Sequence, residues 1–223
     1  MQSDLIPITD PRKTDKFGAV LLAAGEGLRM GSIPKSLLQL DGLSLIQRHL
    51  IALRKAGLDE IVVVTGYHYQ AIETALNDQA VRVVRNPEPQ RGQQSSVRLG
   101  VEALGRSFDL VMVVLADQPL VDVADHKELM RAFAQRPAGA GVMYPQVGDQ
   151  RGNPVLFSGE LVTTMLDSGN DADFRRFIDE HPALVFRYPT SNVHFIIDLD
   201  TPEDVKAFEQ RTGRVLQWPD GLT

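Results

Sequence analysis

Cysteine is absent from the 223 residues, which excludes disulfides, thiolate nucleophiles and Cys-ligated zinc. An excess of positive charge is missing as well: 23 Lys and Arg face 29 Asp and Glu, a net charge of −6. Broad adhesion to nucleic acid or to an anionic membrane needs the opposite balance. No uninterrupted apolar stretch approaches the roughly 20 residues that span a bilayer. The opening MQSDLIPITDPRKTDKF mixes acids with bases around no long apolar centre, unlike a secretory signal. His49, His68, His126, His181 and His194 are scattered without an H-x-x-x-H pair, so no zinc pattern emerges. A cytoplasmic protein without nucleic-acid or membrane partners is the expectation.

What is present is ordinary globular composition, 43% hydrophobic and 23% charged, of a length that suits one α/β domain. Residues 1–16 read as a flexible leader, 17–211 as a single domain and 212–223 as a tail without pattern. Apolar runs alternate with helix-period segments. Strands are expected at Phe17–Ala23, 61–64, 81–84 and Leu110–Leu115. Helices are expected between them: one ending at Gly57, one through Ile72, and one through Val97 and Val101 that starts at Ser95 or Ser96. Strands apolar at consecutive positions, each followed by a helix, indicate a mainly parallel sheet covered on both faces, a three-layer α/β/α sandwich. Further on, strands are expected at 140–144, 155–157, 184–188 and 195–198, with helices near 161–166 and at Phe174–Glu180. An amphipathic stretch at 127–133 suits packing on the sheet. Thr201-Pro202-Glu203-Asp204 combines a capping residue, a first-turn proline and acids, which marks a helix start.

Ligands of such sheets bind beyond the carboxyl ends of the strands. Three ends are candidates: 24–35, Thr65-Gly66-Tyr67, and Ala116-Asp117-Gln118-Pro119. In the first, LLAAGEGLRMGSIPK, Gly25, Gly27 and Gly31 have the spacing G-x-G-x-x-x-G, and the second strand ends without a ribose-binding acid. The dinucleotide fingerprint therefore fails, and with it a nicotinamide-dependent oxidoreductase. Lys35-Ser36 follows Pro34 instead of glycine, so the Walker motif fails too. A glycine-bearing loop after a strand can still aim backbone N–H groups at an anion, with Arg29 as a planar fork and Lys35 as a mobile charge. A tight turn with two solvated cations is the alternative.

The string LAAGEGLRMGSIPKSLLQLDGLSLI resembles the nucleotidyltransferase signature LAAG-x-G-x-RMG…PK-x-LL-x-x-x-G. RGQQSSVRLGVEAL, VVLADQPLVD, RGNPVLF and IIDLDTPEDV are similar to further motifs of the molybdenum cofactor cytidylyltransferase-like (MobA-like) family, in the family's order, from Phe17 to about Ala207. Sugar-1-phosphate nucleotidylyltransferases share variants of the first motif. The resemblance implies a nucleotide-diphospho-sugar transferase (Rossmann-like) fold and transfer of a nucleoside monophosphate from an NTP, CTP favoured over GTP, to a phosphorylated small-molecule acceptor. One stretch departs: NDADFR from Asn170 has Asn170 and Asp173 where the family's G-D-x-G-x-R has glycines, while Asp171 and Arg175 match. This departure bears on the acceptor's identity more than on the chemistry, and it motivates a non-catalytic nucleotide binder as the alternative reading.

Phosphoryl chemistry of this kind asks for positioning and charge neutralisation. Arg29 and Lys35 are assigned to the triphosphate and, with Asp117, to catalysis. The resemblance puts nucleotide contacts at Leu22, Ala23, Ala24, Gly25, Gly27, Thr65, Gly66, Gln94 and Ser96. Mg²⁺ binds through one or two carboxylates plus substrate phosphates. Asp117 is the first candidate ligand, with capping of the next turn as its alternative role. Asp198 and Asp200 alternate by two and so share one side of an extended segment. One of them is the implied second ligand, Asp198 preferred. Ser95 and Ser96 could equally cap a helix. Gly152 and Asn153 are acceptor candidates or a plain turn. His49, on an apolar helix face, reads as core.

Overall fold

The computed structural model describes residues 15–167 and 173–218. Phe17–Ala23 forms the central strand β1, buried from Gly18 onward, because its consecutive apolar residues need cover on both faces. The chain continues through β2 (Gln39–Leu40), β3 (Leu43–Ser44), α1 (Leu45–Ala56), β4 (Glu60–Thr65), α2 (Tyr69–Ala75), β5 (Arg82–Arg85), α3 (Gln93–Leu104) and β6 (Leu110–Leu115). There follow α4 (Val123–Ala134), β7 (Val142–Val147), β8 (Gln150–Arg151), β9 (Val155–Ser158), α5 (Gly159–Asp167), α6 (Phe174–Glu180), β10 (Val185–Pro189), α7 (Pro202–Thr212) and β11 (Leu216–Gln217).

The main sheet has the order β10-β7-β9-β6-β1-β4-β5, with β8 beside β7. β1 runs parallel to β4 and β6, β4 to β5, and β7 to β10. β9 is inserted antiparallel between β6 and β7. Side chains of α1, α2 and α4 (Leu50, Ile72 and Leu129 among them) pack with Leu21, Val63 and Met112 on one face. Those of α3, α5 and α6 (Val101, Val162 and Phe174 among them) pack with Val20, Val64 and Val113 on the other. This is the three-layer sandwich that the alternation of strand and helix predicts. A third cluster, built from Met30, Ile33, Leu38, Leu199, Val205 and Phe208, packs the loop after β1 against α7. Among the described residues no helix is long and apolar enough to cross a membrane.

Helix ends follow local chemistry. Ser44 and Gln47 form a capping box on α1, which ends on left-handed Gly57. Thr201 and Asp204 form another on α7, with Pro202 inside the first turn. Three expectations change. α3 starts at Gln93 with Gly92 as its cap, not at Ser95 or Ser96. Both serine hydroxyls lie inside the first turn, where they accept from Asn86 Nδ2 at 2.8 and 2.9 Å. The strand expected at 195–198 is a 3-10 turn over Val193–Ile196, because the Asn192 side chain accepts from the His194 N–H and curls the chain. Past Thr212, where no pattern is legible, Leu216–Gln217 pairs antiparallel with β2. Most of the leader, together with Asn170 and Asp171, lies outside the described residues.

Candidate active site

β1, β4 and β6 are parallel neighbours in register, Ala23 opposite Thr65 and Leu22 opposite Leu115. Their carboxyl ends therefore deliver three loops to one edge. Between these loops lies a cleft of about 370 Å³, lined by the 22–29 segment, Pro34, Lys35, Tyr67, Pro89, Gly92, Gln93, Ser96, Asp117 and Asp200 among others.

The glycine loop is shaped by its own backbone. Gly27 has φ +70°, and a Cβ there would stand 2.4 Å from the Ile33 carbonyl oxygen, so only glycine fits. The N–H groups of Met30 and Ser32 both donate to the Gly27 carbonyl. His68 Nε2 lies 2.8 Å from the Glu26 carbonyl oxygen and ties the loop to the end of β4. A 3-10 turn over Lys35–Leu37 then aims Lys35 into the cleft.

Lys35 Nζ donates to Asp117 Oδ2 at 2.6 Å and to Asp200 Oδ1 at 2.7 Å. Arg29 pairs with the other oxygen of Asp200 at 2.5 Å. Burial alone would lower the Lys35 pKa, but the Asp117 and Asp200 carboxylates outweigh it and hold the ammonium above its usual value. Burial would raise Asp200, yet Lys35 and then Arg29 pull its carboxyl below the usual range. Asp198 goes the other way: partial burial and the like charges of Asp117 and Asp200 raise it, although much of its side chain faces solvent. Leu199 between them is fully buried, and its N–H donates to the Asp117 carbonyl at 3.1 Å. The alternation read from the sequence thus turns both acids away from the core. Asp200, not the preferred Asp198, shares the lysine with Asp117.

Leu22, Ala23, Ala24, Gly25, Gly27, Arg29, Lys35, Ser96, Asp117 and Asp200 meet at the cleft. Thr65, Gly66, Gln94, Gly152, Asn153 and Asp198 are not part of its lining. Thr65 is fully buried and its hydroxyl donates to Glu73 Oε1 at 2.9 Å. Gly66 packs its bare Cα on Ala24. Gln94 Oε1 accepts from the Arg175 N–H at 3.2 Å. Asn153 N–H donates to the Phe195 carbonyl at 2.9 Å, beside the Gln118 side chain. His49 is buried in the core, as its helix face suggests.

Leu28 and Tyr67, both exposed, line the cleft from two of the candidate strand ends, and Pro89 and Gln93, to which the motifs assign no contact, complete it. Gln93 was legible in principle. A helix started one turn earlier places Gln93 and Ser96, three apart, on one face. Among the described residues, no group of three His, Cys, Asp or Glu forms a ready-made metal cage. Two carboxylates already converging on one cation do fit a hard ion that arrives with phosphate oxygens.

A mainly parallel sheet with a cationic glycine loop and acids at its carboxyl edge is the architecture of an α/β protein with an anion-binding cleft. Residues 19–184 match the model of the MobA-like NTP transferase domain, and the chain belongs to that family. It is 31% identical over 198 residues to Nicotine blue oxidoreductase of Paenarthrobacter nicotinovorans, covering 86% of this chain and 92% of that protein. With the Bifunctional protein GlmU of Syntrophomonas wolfei it shares 33% identity over 129 residues, 57% of this chain but only 28% of that relative's length. Among solved structures, the nucleotidyl transferase Mth528 from Methanothermobacter thermautotroptrophicus superposes with a TM-score of 0.71 at 26% identity, over 88% of this chain and 97% of that one. Rv0371c of Mycobacterium tuberculosis H37Rv, in a complex with manganese, shares the fold with a TM-score of 0.68 at 20% identity, over 87% and 98%.

Proposed function

We propose that the cleft transfers a nucleoside monophosphate, CMP in preference to GMP, from an NTP to a phosphorylated small molecule of the molybdopterin kind. The observation that carries this reading is the Lys35 ammonium bridging Asp117 and Asp200, with Arg29 beside them. A cluster of Arg29, Lys35, Asp117 and Asp200 in a cleft that Tyr67, Leu28 and Pro89 also line suits a ligand with a polyphosphate part and a flat apolar part.

In the reaction, an ionised oxygen of the acceptor phosphate attacks the α-phosphorus, a P–O bond forms, and the bond to pyrophosphate breaks. Arg29 and Lys35 neutralise the phosphates and the departing pyrophosphate. The 24–27 segment lines the same cleft and can offer backbone N–H groups to that charge. Asp117, with Asp200 or Asp198, would hold Mg²⁺. When bound, the ion supplies Lewis-acid polarisation of phosphate oxygens. Gly152 and Asn153, joined to the 117–118 turn through the Phe195 carbonyl, stand for the acceptor side. A sugar phosphate is the runner-up acceptor, which the GlmU likeness favours.

The test incubates the protein with each labelled NTP, Mg²⁺ and candidate acceptor phosphates and follows pyrophosphate release. Asp117→Ala is expected to lower turnover by about 10³-fold with unchanged melting. Full activity in that variant removes Asp117 from the metal site. Nucleotide binding without turnover on any acceptor favours the non-catalytic binder. A second reading rests on the likeness to Nicotine blue oxidoreductase over 86% of this chain: an oxidoreduction that acts on a compound such as nicotine blue. A change in the absorbance of nicotine blue on incubation with the protein, with none of the pyrophosphate release, would decide for it.

A further inference from the structure

Gln118 follows Asp117, but its side chain turns inward and is 2% exposed. Nε2 donates to the Phe195 carbonyl at 3.1 Å, whereas Oε1 is buried without a protein partner. Burying an amide with half its capacity unpaired costs free energy that a methionine of similar size avoids. What the side chain contributes is then the bond that it makes.

That bond ends at a junction. The Phe195 carbonyl also accepts the Asn153 N–H at 2.9 Å. Gly152 packs so closely on it that a Cβ would stand 2.7 Å from the oxygen. From Phe195 the chain runs directly to Asp198 and Asp200, and the Leu199 N–H is bonded to the Asp117 carbonyl. The neighbouring helix α1 carries the buried His49. It packs against the turn that bears Lys35. Gln118 thus sits at the junction of the segments that carry Asp117, Asp198 and Asp200 and of the Gly152-Asn153 turn.

We propose that Gln118 is a positioning residue. Through the Phe195 carbonyl it holds Asp117 in register with Asp198 and Asp200 for a phosphate-bound divalent cation, and it couples that register to the Asn153 turn. The inference rests on the nucleotidyl-transfer reading above and names a residue through which its metal and acceptor halves communicate.

Gln118→Met and Gly152→Ala disturb the same carbonyl from opposite sides. The probe is Mn²⁺, titrated into the full chain with CTP present and read by the EPR signal of the free ion, beside a thermal melt of each variant. Gln118→Met is expected to melt at or above the wild-type temperature and yet bind Mn²⁺ about tenfold more weakly, the size of effect seen when a metal ligand loses its supporting contact. Gly152→Ala is expected to weaken Mn²⁺ binding as well, and the double variant to be no worse than the more impaired single one, since both act through one shared contact. Wild-type Mn²⁺ binding in Gln118→Met, a loss that merely tracks Tm, or strict additivity overturns the inference alone. A wild-type protein that binds no Mn²⁺ with CTP or GTP overturns the nucleotidyl-transfer reading along with it.

Discussion

The two halves of the sheet are built to different rules. β5, β4, β1 and β6 are parallel neighbours, so every strand end feeds a loop to the same edge. In the other half β9 runs antiparallel between β6 and β7. Its beginning, not its end, therefore reaches that edge, and it carries the Gly152-Asn153 turn there. The parallel half supplies Arg29, Lys35 and Asp117 from loops that could only arrive together. The mixed half returns Asp198 and Asp200 on a strap held by the Phe195 carbonyl and the Leu199 N–H. Charge placement in the first half is a product of topology, and in the second of individual hydrogen bonds.

Acid should break this comparison at its seam. His49 on α1 and His126 on α4 are buried, and the packing of these two helices joins the halves. Burial pushes the His49 pKa down to about 4, and burial plus the neighbouring His49 pushes His126 down to about 3. The unfolded chain therefore binds more protons than the folded one below about pH 6.5. Stability is complete above that pH and falls as the pH drops toward these folded values. Between pH 7 and 5 each histidine should cost about 2 kcal/mol, measured by urea unfolding at both pH values. His126→Leu is expected to remove about half of the slope, and an unchanged slope would exclude the buried ring as its source.

Next in size, Lys35→Ala removes the cation through which the parallel half holds Asp200 of the mixed half. Triphosphate affinity should fall about 100-fold, roughly 2.7 kcal/mol, with little change in Tm, as read by calorimetric titration of CTP. Unchanged affinity would take Lys35 out of the triphosphate site. Smallest, Asp173→Ala removes the cap that accepts the N–H groups of Arg175 and Arg176 at the start of α6. About 1 kcal/mol of stability should be lost with nucleotide affinity retained. A large loss of affinity would mean that α6 serves the nucleotide side as well.

The parallel half was also the more legible in sequence. Phe17–Ala23, Leu110–Leu115 and the end of α1 at Gly57 follow from doubly buried apolar runs and a left-handed glycine. α3 was harder to place because its cap, Gly92, has no side chain with which to announce itself. The resemblance points to Gln94, whereas the helix start at Gln93 brings Gln93 to the cleft lining together with Ser96. The 3-10 turn at Val193–Ile196 depends on the Asn192 side chain finding both the His194 N–H and Asp125, and Asp125 lies 67 residues away. Likewise, alternation puts Asp198 and Asp200 on one side, but only the fold decides which of them meets Lys35.

Lys35 gives its site one last property. Because the ammonium is part of the chain, its concentration between Asp117 and Asp200 stays high however dilute the protein is. A free divalent ion has to compete with that permanent resident. Polyphosphate oxygens that draw the ammonium away vacate the seat in the same event, so metal and nucleotide should load the cleft together more readily than either does alone.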